Sequence, residues 1–558
     1  MPTISFEKHE LFELLGKTLS DEELNEIVNS MGVALEVITD SEITIEVFPN
    51  RPDLLSLRGF VRALKFFLGI DKPSLELSKK IKPAEKDFKV LIDKSVSKVR
   101  PYTACAIVKN LHLDDEKIKE IIQIQEKLHI TFGRNRNKVA IGIYPLEKIK
   151  LPIRYLAKKP EDIRFVPLGE TKEMSALEIL EQHPKGKEYA HLLEGKELFP
   201  IFVDANDNVL SMPPIINSEL TGKVTEQTKD VFIECSGFYF KDVLDGVNII
   251  TSALIDMDAE IYQMELVYPD GKRVTPDFSF EKMHLDLEYV KKYLGLEFKP
   301  KEIKQYLEKM GLIYDEKSSE VYIPPYRIDI IHPIDIVEDV AIGYGYNNFP
   351  SELSPVFSVA EESKEAILAR KIRESLIAHE LIEVKNYCLS NPNDETNGIL
   401  KSWEVVNLRN SWSIDFSVLR RSLIPSILNT FKRNKHYEYP QKIFEIGTVF
   451  IPKKNTILEE ERLCVALAGS DADYTKIRQI LDALARDFDL NLEYNEYNDK
   501  MFIEGRSAKV FLKETGKELA VIGELHPQVL ENFTIQQPVA LFELELKPLL
   551  EFLLDKGF

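Results

Sequence analysis

Four carboxylates crowd one short stretch of the chain, Arg327-Ile-Asp329-Ile-Ile-His-Pro-Ile-Asp335-Ile-Val-Glu338-Asp339. Asp335, Glu338 and Asp339 are spaced i, i+3 and i+4, so a helix there puts them on one face, where like charges repel. A hard divalent cation held by oxygen alone relieves that repulsion, and Mg²⁺ or Ca²⁺ suits such ligands. Acids in the first turn of a helix also answer the helix dipole with no metal at all. The spacing keeps both readings open. A second stretch is Ser211-Met-Pro-Pro-Ile-Ile-Asn217-Ser218, after an apparent hairpin over residues 201–210. Its Pro-Pro pair fixes the backbone and is barred from a central strand. It holds polar side chains at a pocket mouth, or it is an ordinary rigid loop. A polar strand end, Glu234-Cys235-Ser236-Gly237, follows.

Three basic groups have the charge to meet phosphates. They are Arg134/Arg136/Lys138, Lys432/Arg433/Lys435/His436, and Arg58/Arg62/Lys65 on one helix face. Most such runs on an acidic chain are simply solvated. No H-E-x-x-H, G-x-S-x-G or G-x-x-x-x-G-K-[ST] pattern occurs, and Gly343-Tyr-Gly345 lacks a third glycine. Zinc protease, serine hydrolase and P-loop chemistry are therefore not indicated. Cys105, Cys235, Cys388 and Cys464 lie far apart with no C-x-x-C pair, which argues against a disulfide framework and suits a reducing cytosol.

The elements that must position these residues begin with a capping box, Ser20-x-x-Glu23, whose helix stops at Gly32. A strand over 43–47 follows, then Pro49-Asn-Arg51-Pro-Asp53 opening a helix that ends at Gly69. A linker-like stretch runs from Asp71 to Asp87. Strand-like runs at 103–109, 139–144 and 199–204 alternate with polar helical stretches, which predicts a mixed α+β domain. Helices return over 275–348, with stops at Gly295 and Gly311. A connector spans 349–358, and the last part carries long helical patterns with strands at 442–450 and 463–468. There is an internal repeat. Glu23-Leu-x-x-Ile-Val-x-x-Met31-Gly32 matches Glu302-Ile-x-x-Tyr-Leu-x-x-Met310-Gly311, and each leads through a strand into P-x-R-x-D, at Pro49/Arg51/Asp53 and Pro325/Arg327/Asp329. This predicts two copies of a helix–strand–helix unit.

At 558 residues the chain holds about three to five domains. The hydrophobic share of 44% and charged share of 29% are those of a globular protein, not a disordered or fibrous one. With 72 Lys plus Arg against 92 Asp plus Glu, the net charge of −20 argues against a chain that coats nucleic acid or anionic membrane with its whole surface. The charged N-terminus is unlike a signal peptide, and no run of ~18 apolar residues is present to span a membrane.

Several blocks together resemble the beta subunit of phenylalanyl-tRNA synthetase in its archaeal and eukaryotic form. They are Asn50-Arg-Pro-Asp-Leu-Leu-Ser56, residues 209–234, residues 323–348 and Ile-Gly-Glu-Leu-His-Pro-Gln-Val-Leu near the end. The resemblance spans the whole chain and the order of blocks matches. It implies a multidomain α+β fold. Residues 1–85 form an N-terminal helix–strand–helix domain, 86–272 a B3/B4-type editing domain, 273–348 a B5-type Mg²⁺-binding domain and 355–558 a degenerate class II synthetase-like antiparallel-sheet module. It also implies Mg²⁺ at Asp329, Asp335, Glu338 and Asp339. Hydrolytic editing of tyrosyl-tRNA falls to a pocket with Phe202, Ser211, Asn217, Glu234 and Ser236, where the family often has Asp and Thr at the last two. A complex of two alpha and two beta subunits follows, acting on tRNA-Phe, ATP and phenylalanine in the cytoplasm.

A working class II site needs an F-R-x-E arginine and a G-x-G-x-G-x-x-R strand. Here Phe444-Glu445-Ile446-Gly447 contains no arginine, and no G-x-G occurs after Tyr346. Phosphate charge in amino-acid activation must be met by fixed cationic donors and close backbone approach. Activation therefore belongs to a separate alpha subunit. A stand-alone editing hydrolase and a nucleic-acid-binding scaffold are the other classes; the long class II-like module speaks against the first and the acidic unit around Asp329 against the second. The expected outcome is that this chain alone does not catalyse phenylalanine-dependent ATP–pyrophosphate exchange, and that adding an alpha subunit restores it. Robust exchange by the purified chain would overturn the assignment.

Overall fold

The computed structural model describes residues 2–354 and 358–558; the middle of the expected 349–358 connector lies outside them. The chain divides into two compact units, Met1–Glu352 and Leu353–Phe558.

The first unit opens with β1 (Thr3–Glu7), α1 (Lys8–Leu15), α2 (Asp21–Ser30), β2 (Ala34–Ile38), β3 (Glu42–Glu46) and α3 (Leu57–Phe67). Ser20 and Glu23 cap α2 reciprocally, Ser20 Oγ accepting from Glu23 N at 3.2 Å and Glu23 Oε2 from Ser20 N at 2.9 Å. The stretch read as a linker instead contains β4 (Ile81–Lys82), which joins a large sheet. That sheet is built from β5 (Lys89–Ile92), β6 (Tyr102–Lys109), α4 (Asp115–Ile130), β7 (Val139–Pro145) and β8 (Ile153–Lys158) onward. A small β9 (Arg164–Phe165) and β10 (Met174–Ser175) ladder with α5 (Ala176–Gln182) and α6 (Pro184–Tyr189) interrupts it. Then come β11 (Phe199–Val203), β12 (Val209–Met212), β13 (Ile216–Asn217), α7 (Glu219–Gly222), β14 (Val231–Gly237), α8 (Phe240–Ile255), β15 (Glu260–Tyr268) and β16 (Gly271–Thr275). The strand order is β13-β12-β11-β8-β5-β15-β6-β14-β7, with β16 and β4 also on β15.

Along β14 the side chains alternate between faces. Ile233 and Cys235 join the core packed under α4 and α8, while Phe232 joins the opposite core with Tyr144, Tyr155 and Phe202. Glu234 and Ser236 share the face of Phe232. The core under α4 and α8 is continuous with that of α1–α3. Arg58 and Arg62, candidate phosphate contacts by sequence, are spent on this junction. Arg58 Nη1 donates to Asp256 O at 3.3 Å and its Nε lies 3.4 Å from Glu120 Oε2, and Arg62 Nη1 pairs with the Asp256 carboxylate. Their side chains are only 12% and 14% exposed, which removes them from any surface role.

The third segment is β17 (Glu281–His284), α9 (Leu287–Leu294), α10 (Pro300–Lys309), β18 (Ile313–Asp315), β19 (Glu320–Ile323) and α11 (Pro333–Tyr344). Its sheet order, β17-β19-β18, repeats the β1-β3-β2 order of the first segment. The repeated unit is thus larger than helix–strand–helix: strand, two helices, hairpin, arginine turn, helix. The two copies meet reciprocally. Gly32 of the first lies by Ile342 of α11, and Gly311 of the second lies by Phe66 of α3. At Gly311 the φ of +78° and a Phe66 carbon 3.1 Å from where a Cβ would stand together require glycine.

The second unit carries a seven-stranded sheet around the long hairpin Gln441–Lys453 and Thr456–Ala468. Its pairings are antiparallel except at the Ile382–Glu383 edge. Helices Lys364–Ala378, Tyr474–Asp487 and Leu546–Asp555 contribute to its larger core.

Candidate functional site

A cavity of about 370 Å³ opens where β7, β12, β13 and β14 meet α4. Ser211, Asn217 and Glu234 line it; Ser236 and Phe202 do not. Ser211 stands opposite Asn217 in the β12–β13 pairing, so the short Pro213-Pro214 turn brings both to one wall. Ser236 is two residues on from Glu234, ~7 Å further along the strand. Its hydroxyl accepts from Arg100 Nε at 3.2 Å and also lies near enough to the Glu234 carboxyl to oppose the rise that burial causes there. Phe202 stacks on Tyr155 with ring centroids 4.3 Å apart, inside the core.

Glu234 is buried. Its Oε1 accepts from the Tyr144 hydroxyl at 3.3 Å, and that hydroxyl is also 3.3 Å from Asn217 Oδ1. Its Oε2 has no hydrogen-bond partner among the described residues, and neither has Ser211 Oγ, although the latter lies beside the Tyr144 hydroxyl. Two buried polar atoms left unsatisfied on one cavity wall call for an explanation, and a bound polar group supplies one. Burial pushes the Glu234 carboxyl up to about 8, against the pull of the Arg100 charge. At neutral pH it is mostly a carboxylic acid, able to donate as well as accept.

Glycine makes this geometry possible. Gly142 is opposite Glu234 in the β7–β14 pairing, and a Cβ there would come within 2.1 Å of Tyr144 Oη and 2.7 Å of Glu234 Oε1. A glycine inside the apolar run Val-Ala-Ile-Gly142-Ile-Tyr144 is the signal that sequence reading passed over. It also passed over His129 and Glu126, both on the cavity wall. His129 Nε2 accepts from Ile141 N at 2.8 Å and its Nδ1 faces Glu126 Oε1 at 3.3 Å, so both ring nitrogens are engaged. Arg136 of the first basic cluster is buried in the same wall, donating to Ile215 O at 2.8 Å and Glu126 Oε1 at 3.0 Å. Arg134 stays exposed, as do Lys432, Arg433 and Lys435 at the end of helix Ile424–Arg433.

The acidic cluster is arranged differently from a four-carboxylate cage. Arg327 Nη2 donates to Asp329 Oδ2 at 2.8 Å and to Asp339 Oδ2 at 2.7 Å, so a guanidinium already answers two of the four charges. Asp335 Oδ2 caps α11, accepting from Ile331 N at 2.9 Å and His332 N at 2.8 Å. Glu338 is exposed. No group of three or more metal-ligating side chains is gathered among the described residues. Asp335 and Glu338 make no bond to Arg327, and Asp335 has one oxygen committed to backbone N–H groups.

In the second unit an arginine does reach the Phe444–Gly447 block, from outside it. Arg420 Nη1 donates to Glu445 Oε1 at 2.6 Å and Nε to Thr448 O at 2.9 Å, with Arg420 and Glu445 only 1% and 0% exposed. A buried pair so committed presents no cation to a phosphate.

A buried polar cavity in a mixed sheet, a duplicated arginine-turn unit and an antiparallel module with its arginine locked away make up the chain, and the last two have counterparts among aminoacyl-tRNA synthetase domains. Family models match the two copies of the arginine-turn unit and the antiparallel module: the Phe-tRNA synthetase beta subunit B1 domain over residues 1–70, the tRNA synthetase B5 domain over 283–346 and the phenylalanyl tRNA synthetase beta chain CLM domain over 350–546. The phenylalanine–tRNA ligase beta subunit of Pyrococcus furiosus is 39% identical over 565 residues, covering 98% of this chain and 100% of the relative. That of Archaeoglobus fulgidus is 38% identical over 552 residues, covering 98% of each. A crystal structure of an N-terminal fragment of the Pyrococcus horikoshii beta subunit matches with a TM-score of 0.58 and 39% identity, over 62% of this chain and 99% of the fragment. The chain belongs to the family of phenylalanine–tRNA ligase beta subunits.

Glu234 makes stability depend on pH with a definite sign. Unfolded, its carboxyl ionises near 4.5; folded, it keeps its proton to about 8. Between those values the folded state binds more protons, so stability falls as pH rises, by ~1.4 kcal/mol per pH unit at most. Glu234→Gln removes that loss. In thermal or urea unfolding, the variant's stability relative to the parent should climb from pH 5 to pH 8 and then level.

Proposed function

We propose that this chain is the editing and structural subunit of a phenylalanine–tRNA ligase of two alpha and two beta subunits, acting in the cytoplasm on tRNA-Phe, with ATP and phenylalanine handled by the alpha subunit. Consistent with this, no helix among the described residues is long and apolar enough to cross a membrane. The domain limits at 85, 272, 348 and 355 belong to this proposal.

The observation that carries the editing reading is that Glu234 Oε2 and Ser211 Oγ, two buried oxygens on the cavity wall, have no hydrogen-bond partner among the described residues. A phenol fits them: its O–H donates to Glu234 and its oxygen accepts from Ser211. A phenyl ring leaves both unpaired and is rejected, because buried polar atoms without partners are costly. The alpha subunit needs this second sieve, since a phenylalanine pocket discriminates weakly against an added hydroxyl, by ~10². With His129 engaged at both nitrogens, a water molecule, assisted by the terminal hydroxyl of the tRNA, is the nucleophile. It attacks the ester carbonyl; the tRNA oxygen leaves with a proton and tyrosine is released.

Glu234→Ala should leave phenylalanine charging intact in the reconstituted complex and slow deacylation of preformed tyrosyl-tRNA about 5- to 30-fold, the equivalent of ~1–2 kcal/mol. Equal rates would remove Glu234 from recognition. If the parent complex also fails to deacylate, the chain is a structural subunit only.

Mg²⁺ at the Asp329/Asp335/Glu338/Asp339 cluster is proposed as a structural ion. The donor set is all oxygen, and Asp335 with Glu338 supplies the oxygens that Arg327 leaves open, water completing the shell as Mg²⁺ prefers. Mg²⁺ should then raise the unfolding temperature of the full chain by mass action. Glu338→Gln should abolish that rise without altering metal-free stability. Asp339→Asn should instead lower metal-free stability, since it takes a charge from the buried Arg327. A Mg²⁺ response unchanged in Glu338→Gln would count against the ion.

A further inference from the structure

We propose that Arg100 is a positioning residue of the cavity: its buried guanidinium, bonded only to neutral oxygens, supplies a positive charge near Glu234 without occupying the oxygen that a ligand would meet. The ligand half of this rests on the editing reading above; the charge half rests on the chain alone.

Arg100 is 3% exposed, and its hydrogen bonds go to Ser236 Oγ at 3.2 Å, Ser236 O at 2.6 Å, Asn137 O at 3.2 Å and Arg136 O at 3.1 Å. Among the described residues it pairs with no carboxylate. A guanidinium bonded only to neutral oxygens keeps its charge uncompensated, and in a dry interior that charge acts beyond contact range. Burial brings Arg100 down to about 10, so it is still a cation at neutral pH, and Glu234 is the carboxylate that it feels. A direct ion pair would occupy the oxygens of Glu234. The offset leaves Oε2 open while still drawing the carboxyl toward ionisation.

The same guanidinium ties the cavity's two sides together. It binds the carbonyls of a turn in which Arg134, Asn135 and Arg136 have φ of 50°, 53° and 65°, a left-handed conformation that residues with side chains adopt at a cost. Such a turn persists only where its surroundings over-determine it. From it Arg136 reaches Ile215 O beyond the Pro213-Pro214 turn.

Glu234 is the group that changes charge in this setting near neutral pH. Cys105 of β6, Tyr144 of β7, Tyr155 of β8 and the adjacent Cys235 are all pushed up by burial and stay neutral. Across the cavity, Glu126 is held at about 2 by its bond to His129 and by Arg136, and burial lowers His129. His183, Lys185 and Lys223 also line the cavity.

The test uses the full chain carrying Arg100→Met, Arg100→Gln or Arg100→Lys, each with and without Glu234→Gln, unfolded from pH 5 to pH 10. In the parent, the stability gap opened by Glu234→Gln should stop growing near pH 8. In the charge-free Met or Gln background it should grow to a pH about one unit higher, as loss of a nearby opposite charge requires. Arg100→Lys, which keeps the charge, should restore the parent window. Arg100→Gln retains hydrogen-bonding capacity should the Met variant not fold. An unmoved window in either charge-free variant overturns the proposal and leaves Arg100 a purely structural residue. The ligand half is read separately, with non-hydrolysable 3′-tyrosylamino- and 3′-phenylalanylamino-deoxyadenosine. The parent should prefer the tyrosyl compound, and Arg100→Met or Gln should lose several-fold of that preference at pH 7. No preference in the parent would overturn the editing reading, whatever the unfolding window does.

Discussion

A carboxyl group taken out of water, with one oxygen left unpaired, is the constraint around which the mixed sheet is organised. Desolvating Glu234 is costly, and the cost shows in the rise of its pKa to about 8. The neighbours then fall into place. Gly142 gives Tyr144 room to reach Glu234, the Pro213-Pro214 turn delivers Ser211 and Asn217 to the same wall, and Arg100 supplies a cation without closing the free oxygen.

The arginine turns answer a different electrostatic problem. Each P-x-R-x-D motif closes an Arg–Asp pair, Arg51 with Asp53 and Arg327 with Asp329, and the two pairs lie close enough to feel one another. In the second copy Asp339 adds a further anion. Burial raises Asp339, while at Asp329 the opposing pull of Arg327 outweighs burial and lowers it. The cluster that looks from its spacing like a set of repelling acids is in the fold partly neutralised from within. Arg327, two residues before Asp329, answers part of the repulsion that the spacing suggests.

Arginine has a third role in the second unit. The Arg420–Glu445 pair is wholly buried, and the contact of Gly447 with the guanidinium shows how tightly it is enclosed, a Cβ there falling 2.3 Å from Nη2. A charge that must stabilise developing phosphate charge has to be free to meet it. Here it is consumed by the Arg420–Glu445 pair within the scaffold.

Much was legible in the sequence because it depends on local chemistry. The Ser20/Glu23 capping box, the glycine-stopped helices, the strands at 103–109 and 139–144 and the matched P-x-R-x-D segments each express preferences acting over a few residues. The Pro-Pro turn and Glu234 were legible as polar residues in unusual settings. What only the tertiary structure decided is which of these side chains share a space. Ser236 has the residue type, strand and face of a pocket residue, but it lies further along the strand, where its hydroxyl meets Arg100. Arg58 and Arg62 look like a basic helix face, but α4 and α8 close over that face. Arg100 carries no motif at all; its partners lie 36 to 136 residues away. Spacing along the chain determines which residues share an element's face, whereas the partner a charge finds when water is removed is set by packing between elements distant in sequence.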